Sequence, residues 1–417
     1  MNCRSFIFLS TSLFLFAACA PAPKADPTQV PTIDPTQTTT PEVRPTQTPM
    51  PSSTPAKLPS ATPTVKVTPP PTNTFEGQIA YIGKKGEIRV LRSDTGEQIS
   101  ITSESDDQYQ YIAPQFSPDG RQIAYCQQKM MPNPIGGPPI PEKERILFIK
   151  NIENGSTRKL ADDVYCLFSW SPDGGNIIYG KQWGEFSGGS WEHASGIWQV
   201  DIATGEEKEI IPALRNNPFR NPQWSPDGKW IKYYEVLYIE GVGRFWIWNL
   251  NQSKEISWGN IVVGYTNWAP NGGLIVFDEV TYIPLEAVPG SSIFASTPEG
   301  SKIRKIYSES DYVAFHPMWS PNGLMILATL YKPFTFPESH ILMNDDGKIE
   351  KMIKPDKDIA PIDWSPNGQQ ILFIEYVDHV EDVHNLLIYD ILGDFFKTIE
   401  RGVKGESVSG DWAPLPD

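Results

Sequence analysis

The sequence predicts an all-β fold, a seven-bladed β-propeller of four-stranded antiparallel blades, after a secretion signal and a disordered tether. Three observations lead to this prediction. A short phrase recurs seven times at nearly constant spacing, strand-like apolar runs follow its copies, and proline and threonine are concentrated before the first copy. These features divide the 417 residues into the segments 1–18, 19–74 and 75–417.

Residues 1–18 have the pattern of a secretory signal peptide. Arg4 supplies a positive charge, Phe6–Ala18 is an apolar run, and small residues follow it. A helix of this length rises only about 20 Å, short of the roughly 30 Å hydrocarbon core. The run therefore predicts export rather than a permanent membrane span.

The stretch Phe16-Ala-Ala-Cys19 resembles the bacterial lipobox, in which the signal is cut before a cysteine that carries diacylglycerol. Phe16 departs from the pattern, where that family prefers leucine. The resemblance implies lipidation of Cys19 and a location in the cell envelope, anchored by lipid outside the cytoplasmic membrane, in the periplasm or at the cell surface. Ordinary cleavage after Ala20 is the alternative, because Ala18-Cys-Ala20 has the small-x-small form.

Residues 19–74 are predicted to be a disordered tether. From Ala20 to Thr74 the chain has fifteen Pro, fourteen Thr and no aromatic residue. Proline fixes φ and lacks an N–H donor, so the segment is expected to stay extended and solvated, reaching roughly 170 Å if fully stretched. It is either a stalk that lifts the domain from a membrane or a spacer of no particular length.

The recurring phrase reads aromatic, Ser or Ala, Pro, Asp or Asn, Gly. Its copies begin at Phe116, Trp170, Trp224, Trp268, Trp319 and Trp364, and a shortened copy begins at Trp412. The spacings of 54, 54, 44, 51, 45 and 48 residues suit four-stranded blades. Pro, Asp or Asn, and Gly fit successive positions of a tight turn, so each copy predicts the turn between strands a and b.

Ring closure follows from the two ends of the repeat region. Three strands predicted at Gln78–Ile82, Glu87–Leu91 and Gln98–Thr102 have no phrase before them. The strand ending at Trp412 supplies the missing fourth, so the first blade is shared by both ends and the ring has seven blades.

The phrase Trp224-Ser-Pro-Asp-Gly228, with strands such as Ile123-Ala-Tyr125 after the turns, resembles the WD-repeat-like propeller repeat of the TolB family. That repeat also occurs in the propellers of prolyl oligopeptidase and dipeptidyl peptidase enzymes. The resemblance covers 75–417 and implies the fold rather than an activity. The proline-rich tether stands where TolB proteins carry an α/β domain.

One face of the predicted ring carries the long connections. In a four-stranded meander the a–b and c–d turns lie on one face, here called the tight-turn face. The b–c and d–a connections lie on the other, here called the long-loop face. Long b–c insertions are predicted at Gln127–Arg145, Lys181–Gly196, Asp278–Ser292, Tyr331–His340 and Glu375–Asn385. Binding functions usually sit on such loops.

Two sets of residues are candidates for ligand binding. Trp183, Phe186 and Trp191 lie among glycines in the third-blade loop and suit a sugar ring or a peptide, or else fold back as a small core. The residues before the aromatic of each phrase form a predicted polar ring around the channel, with Gln115, Gln223, Asn267, Asp363 and Asp411 as candidates. The alternative is that these side chains only satisfy backbone groups and ordered water.

Metal and cysteine chemistry is sparse. His379 and His384 have a zinc-like spacing, but no second ligand pair accompanies them, so a solvated polar loop is expected and no metal or cofactor is assigned. Cys126 and Cys166 remain after the signal and lipid positions. Export permits a disulfide between them, but the sequence leaves their separation open.

The functional prediction is a non-catalytic binding or scaffold propeller that engages an envelope protein, peptide or glycan through its long-loop face. Fifty acidic against 35 basic residues, a net charge of −15, disfavour nucleic acid. The sequence has no nucleophile elbow, zinc-protease motif or P-loop, so no catalytic residue is assigned. The alternatives are a hydrolase or lyase acting in the channel, with Asp363, Asp411 or His316 as acid or base, and a structural envelope protein.

Overall fold

The computed structural model describes residues 75–106, 108–132, 140–181, 186–187, 190–191, 195–213, 218–236, 243–258, 263–279, 292–332, 339–378, 383–404 and 410–416. The predicted signal and tether lie outside the described residues. Within the described part of the chain, no helix is long and apolar enough to cross a membrane.

Seven four-stranded antiparallel sheets confirm the predicted seven-bladed propeller. Strands are given from the innermost, a, to the outermost, d. Blade 1 contains β30 (Gly410–Ala413), β1 (Gln78–Ile82), β2 (Ile88–Arg92) and β3 (Gln98–Ser100). Blade 2 contains β4 (Tyr109–Phe116), β5 (Gln122–Met131), β6 (Ile140–Asn151) and β7 (Thr157–Asp162). Blade 3 contains β8 (Val164–Trp170), β9 (Asn176–Lys181), β12 (Ile197–Asp201) and β13 (Glu207–Ile211), with a small hairpin of β10 (Phe186–Ser187) and β11 (Ser190–Trp191) between β9 and β12.

The other four blades follow the chain order without interruption. Blade 4 contains β14 (Phe219–Trp224), β15 (Trp230–Val236), β16 (Gly243–Asn249) and β17 (Lys254–Ser257). Blade 5 contains β18 (Val263–Trp268), β19 (Ile275–Glu279), β20 (Ile293–Ser296) and β21 (Arg304–Tyr307). Blade 6 contains β22 (Val313–Trp319), β23 (Ile326–Tyr331), β24 (Ser339–Met343) and β25 (Ile349–Ile353). Blade 7 contains β26 (Ile359–Trp364), β27 (Gln370–Asp378), β28 (Val383–Asp390) and β29 (Phe395–Lys404).

Ring closure takes place in blade 1, as predicted. β30 pairs antiparallel with β1, with Trp412 opposite Ile79. The Trp412 Nε1–H donates to the Glu76 carbonyl at 2.7 Å, and the Gln78 amide donates to the Gly120 carbonyl of blade 2 at 2.6 Å. Strands from both ends of the repeat region therefore complete one sheet.

The recurring phrase forms the predicted turn. In blade 4, Gly228 has φ 70°, and Ser225 Oγ accepts the Trp230 N–H at 2.9 Å. The same hydroxyl donates to Asp227 Oδ1 at 2.6 Å, and this carboxylate oxygen accepts the Lys229 N–H. The serine and the acidic residue thus hold the turn from both sides, which explains why the phrase recurs.

The core consists of apolar layers between neighbouring blades. Leu147 of β6 packs in one cluster with Val164 and Phe168 of β8, and Met318 of β22 packs in another with Ile371 and Phe373 of β27. Both faces of the b strands are covered, as β1 is buried over all five residues. This explains why these strands are apolar runs rather than alternating patterns.

Cys126 and Cys166 form a disulfide, with their Cα atoms 5.9 Å apart. Cys126 lies in strand b of blade 2 and Cys166 in strand a of blade 3, and both are buried. The bond therefore joins two neighbouring blades, which settles the question that the sequence left open.

Two predicted loops are partly strands. In the segment Gln127–Arg145, β5 and β6 remain paired as far as Met131 opposite Ile140. In Glu375–Asn385, β27 and β28 pair as far as Asp378 opposite Val383. In both segments the backbone pairing continues beyond the apolar part of the strands, because pairing satisfies the backbone N–H and C=O groups.

Candidate functional site in the central channel and on the long-loop face

The innermost strand of each blade is paired on one side only, so its free edge carries N–H groups that no sheet satisfies. Side chains from the preceding blade accept these groups. Asp411 Oδ2 accepts the Phe116 N–H at 2.6 Å. Ser169 Oγ accepts the Trp224 N–H at 3.3 Å, and Asn267 Oδ1 accepts the Trp319 N–H at 2.9 Å. The residue before one aromatic thus links its blade to the next.

Met318 occupies this position in blade 6, and its thioether sulfur is only a weak hydrogen-bond acceptor. The Trp364 N–H of blade 7 is instead accepted by Asp363 of its own strand, through Oδ1 at 2.8 Å. Asp363 Oδ2 accepts the Trp412 N–H of blade 1, also at 2.8 Å. Both oxygens of this carboxylate are therefore engaged with the backbone.

Gln115 and Lys232 link their blades in other ways. The Gln115 amide donates to the Phe168 carbonyl at 3.2 Å. Gln223 lies opposite Lys232, which is buried, and Lys232 Nζ donates to the carbonyl and hydroxyl oxygens of Thr266 in blade 5 at 2.7 and 2.8 Å. Of the predicted ring residues, Gln115, Asn267, Asp363 and Asp411 thus make hydrogen bonds between blades. Ligand binding by these side chains stays a prediction.

The neighbouring carboxylates of Asp363 and Asp411 are hard to ionise. Burial, followed by the charge of Asp411, raises the pKa of Asp363 to about 8. Burial raises the pKa of Asp411 to about 6. Two adjacent acids that lose their protons at different pH values are a feature of many acid–base sites, although structural networks produce it as well.

A β-bulge interrupts the inner strand of each of the six blades 2 to 7. Its central position lies three residues before the aromatic of the phrase. Ala113, Asn221 and His316 have positive φ there, between 50° and 54°. In blades 2 to 6 the bulge turns the residue at this position away from the ladder, next to the channel. In blade 7, Pro361 stays opposite Phe373 and the displaced residue is Ile362. The residues at this position, in order of blade, are Ala113, Leu167, Asn221, Tyr265, His316 and Pro361.

Tyr265 and His316 form a ring pair at this level. Their ring centroids are 4.6 Å apart, and Tyr265 is 36% exposed. Asp278, itself buried, accepts the backbone N–H of Tyr265 at 2.8 Å and also that of His316. Burial raises the pKa of Asp278 to about 7 and lowers the pKa of His316 to about 4, so the imidazole is neutral at pH 7. One carboxyl group thus fixes both bulges.

Polar groups from blade 4 lie beside this pair. The Tyr234 hydroxyl donates to the Gly264 carbonyl at 2.7 Å, next to Tyr265 in the chain. Arg220 lies opposite Tyr234 in the sheet. The half of the channel formed by blades 4 to 6 is therefore polar and aromatic at the level of the bulges. Among the described residues, the other half has Ala113, Leu167 and Pro361 at this level.

On the long-loop face, the extended hairpins of blades 2 and 7 stand on either side of blade 1. Blade 1 has only a short b–c turn there, closed by a hydrogen bond from the Gly83 N–H to the Glu87 carbonyl at 2.7 Å. The hairpins expose Met131 and Val377, which are 37% and 54% exposed. The described part of this face thus exposes one apolar side chain on each hairpin.

The candidate aromatic loop of blade 3 is described only in part. The backbones of Phe186 and Trp191 pair in the β10–β11 hairpin, so this part of the predicted loop is a short strand pair. Trp183 lies outside the described residues. Their binding role stays a prediction.

His384 corrects one expectation. It lies in β28, is 1% exposed and packs against Tyr376, so it does not belong to a solvated polar loop. The strand pairing that extends this hairpin places His384 opposite Tyr376 in the sheet. His379 lies outside the described residues. In the part of the chain that the structure describes, no three His, Cys, Asp or Glu side chains cluster as metal ligands would.

A shallow cleft of 310 Å³ lies on the tight-turn face between blades 2 and 3, lined in part by Ser117, Asp119 and Asp173. The carboxylates belong to the turns. Ser171 and the Gly175 N–H donate to Asp173 and hold its pKa below the usual value. The cleft is therefore acidic, but its charges are already used to hold the turns.

Comparisons with known proteins agree with this architecture. The chain is similar to TolB from Acinetobacter baumannii, with 16% identity, 82% of this chain and 68% of that chain covered, and a TM-score of 0.46. A prolyl endopeptidase shows 12% identity over 82% of this chain and 49% of its own, with a TM-score of 0.59. Oligogalacturonate lyase from Vibrio parahaemolyticus shows 13% identity over 78% and 87%, with a TM-score of 0.55.

The chain shares the propeller fold of the last two proteins. It spans about half the length of the prolyl endopeptidase chain. No family model and no curated protein matches the sequence. The repeat resemblance is thus confirmed at the level of the fold, and the activity has to be argued from the residues.

Proposed function

We propose that this chain is an exported, lipid-anchored propeller that binds an envelope protein, peptide or glycan through its long-loop face without catalysing a reaction. The engagement of the channel carboxylates carries this proposal. Asp363 accepts backbone N–H groups through both oxygens, and Asp411 accepts the Phe116 N–H. If these carboxylates left their backbone N–H partners to transfer protons, the contacts between neighbouring blades would be weakened.

Exposed apolar residues on the long-loop face support the same proposal. The hairpins of blades 2 and 7 supply exposed Met131 and Val377 on that face. Apolar side chains at the rim of a rigid scaffold are suited to protein or peptide contacts.

The lipid anchor is tested by mass spectrometry of the mature protein. The expected amino-terminal residue is Cys19 carrying diacylglycerol. An unmodified chain beginning at Pro21 would refute the anchor while leaving the binding role to be tested separately.

The binding face is tested by affinity capture from the native envelope, with a parallel glycan array. The variant Met131→Lys/Val377→Lys on the long-loop face is expected to lose the partner. The matched variant Leu324→Lys/Leu392→Lys replaces two exposed residues of the tight-turn face, 68% and 76% exposed, and is expected to keep it. Loss with the second variant and retention with the first would overturn the proposed face.

A channel hydrolase or lyase is the second candidate. It is favoured by the raised pKa values of Asp363 and Asp411, about 8 and 6. The prolyl endopeptidase and the oligogalacturonate lyase with this fold suggest proline-containing peptides and oligogalacturonate as substrates to assay. Turnover that is abolished by Asp411→Asn would support this candidate. Absence of turnover on both substrate classes would count against it.

A further inference from the structure

We propose that the channel wall formed by blades 4 to 6 at the level of the bulges binds an uncharged sugar ring, with Tyr265 and His316 as its platform. This inference goes beyond the proposed function, since it concerns a second site and does not depend on the partner of the long-loop face. It starts from the seven equivalent positions that the repeat provides. Among the described ones, only blades 5 and 6 carry an aromatic ring at the bulge.

The ring pair is held in place and remains available. Asp278 accepts the backbone N–H of both residues, which fixes the bulges from behind. Tyr265 is 36% exposed, and His316 is partly exposed. Among the described residues, neither the phenol nor the imidazole has a hydrogen-bond partner within the protein. Two rings, preorganised and open on one side, are a binding surface that needs no rearrangement.

Charge decides the class of ligand. Residues 75–417 have a formal charge of −17, because the remaining residues carry +2 of the total of −15. This disfavours an anionic ligand. The described residues contain no metal-ligating cluster, which disfavours a bound divalent cation. Burial keeps His316 neutral, with its pKa at about 4. A neutral ligand with one apolar face is therefore the best match.

Sugar rings have the required chemistry. Their C–H faces pack on aromatic rings, and their hydroxyls both donate and accept hydrogen bonds. The phenol of Tyr265 and the nitrogens of His316 supply such partners, and Asn221 adds an amide at the corresponding position of blade 4. The bulges lie between the phrase turn and the long-loop face, so a glycan end would enter from that face.

The test uses cellotriose, maltotriose and chitotriose, titrated into the full mature chain by calorimetry. At least one is expected to bind, and Tyr265→Ala and His316→Ala are each expected to weaken binding about ten-fold or more. Tyr265→Phe keeps the ring and is expected to lose less. Leu167→Ala changes the equivalent bulge position of blade 3 and is the matched control, expected to leave binding unchanged.

A second measurement covers the case in which the alanine variants fail to fold. The chain has five histidines, and ¹³C-labelled imidazoles are followed by NMR during the titration. The His316 signal, assigned with His316→Gln, is expected to shift with the sugar while the signal of the buried His384 in blade 7 does not. The proposal is overturned if none of the three sugars binds at 10 mM, on the order of the weakest specific binding. It is also overturned if binding leaves both the His316 signal and the folded variants unaffected.

Discussion

At the level of single residues, the inner ring depends on acids that are more stable when protonated. The pKa of Asp363 is raised to about 8 and that of Asp411 to about 6, against an ordinary value of 3.8. Between pH 4 and 8 the folded chain therefore binds more protons at these sites than the unfolded chain. Their contribution to stability is present below pH 4 and is lost as the pH rises through this window.

Asp411→Asn is expected to reduce this loss. An amide oxygen can still accept the Phe116 N–H, while the charge beside Asp363 is removed. The difference in unfolding free energy between the variant and wild type is expected to be about 1 kcal/mol more favourable to the variant at pH 8 than at pH 4. This figure allows for the partial exposure of Asp411. Urea unfolding at both pH values measures this. The exposed Asp356→Asn is the control, and parallel pH profiles of wild type and Asp411→Asn would contradict the prediction.

His340 makes the stability of the folded protein depend on pH in the opposite direction. It is fully buried between blades 6 and 7, with Nδ1 3.1 Å from the Thr329 hydroxyl and its ring centroid 5.0 Å from that of Phe373. Burial, followed by the charge of His316, lowers the pKa of His340 to about 3. Since the unfolded histidine takes up a proton near pH 6.5, stability is lost as the pH falls below that value.

Thr329→Val/His340→Leu is expected to remove this acid sensitivity. Both partners of the Thr329–His340 hydrogen bond are replaced together, which removes this polar pair from the interior. At pH 5 the variant is expected to gain about 2 kcal/mol relative to its difference from wild type at pH 7. Denaturant unfolding at the two pH values decides the matter, and an equal difference at both would show that His340 does not titrate as described.

At the level of elements, blade 5 offers an internal comparison. Its turn has Ala269 where the other five complete copies have Ser, so it lacks the hydroxyl that accepts a strand N–H in, for example, Ser320 with Met325 at 2.9 Å. Ala269→Ser is expected to stabilise the protein by about 1 kcal/mol, because the Leu274 N–H and Asn271 gain a partner. Ser320→Ala is expected to cost about as much. Chemical denaturation measures both, and effects of the same sign would contradict this account.

The turns and strands could be predicted from the sequence, whereas the bulges could not. The turn phrase is local chemistry, so its turns and the strands beside them were predictable from Pro, Asp and Gly alone. The bulges were not, because Ala113 and His316 have little in common except their distance from the aromatic residue. Comparing that position across the copies would have singled out Tyr265 and His316. The pairing of Asp278 with both strands is set by neighbouring blades and leaves no local signal.

At the level of the whole molecule, the disulfide ties blade 2 to blade 3 across 40 residues of sequence. A cross-link of this span lowers the conformational entropy of the unfolded chain and so raises its free energy by about 4 kcal/mol. We expect reduction of Cys126–Cys166 to lower the unfolding free energy by up to this amount, with the ring still folded in the absence of denaturant. Urea unfolding with and without reductant tests it, and an unchanged midpoint would contradict it. The variant Cys126→Ala/Cys166→Ala, insensitive to reductant, is the control.

The ring itself was predictable because seven copies and a shared first blade leave little freedom in the count. The residues of the predicted polar ring lie on the inner strands, and their binding of a ligand stays a prediction. Their described role as a set of links between blades follows from the free edge of each inner strand, which only the assembled circle reveals. Asp363 illustrates this, since its second backbone partner, Trp412, is 49 residues away.

Because of Met318, the contacts between the innermost strands of neighbouring blades are expected to respond unequally to temperature. Where other neighbours are joined there by hydrogen bonds, blades 6 and 7 meet through Met318, Ile359 and Trp364. Apolar contacts weaken as water is cooled, whereas hydrogen bonds do not share that dependence. Cold would therefore loosen the circle first at this joint, one blade away from the strand pairing that closes it, while heat would act on all joints more evenly.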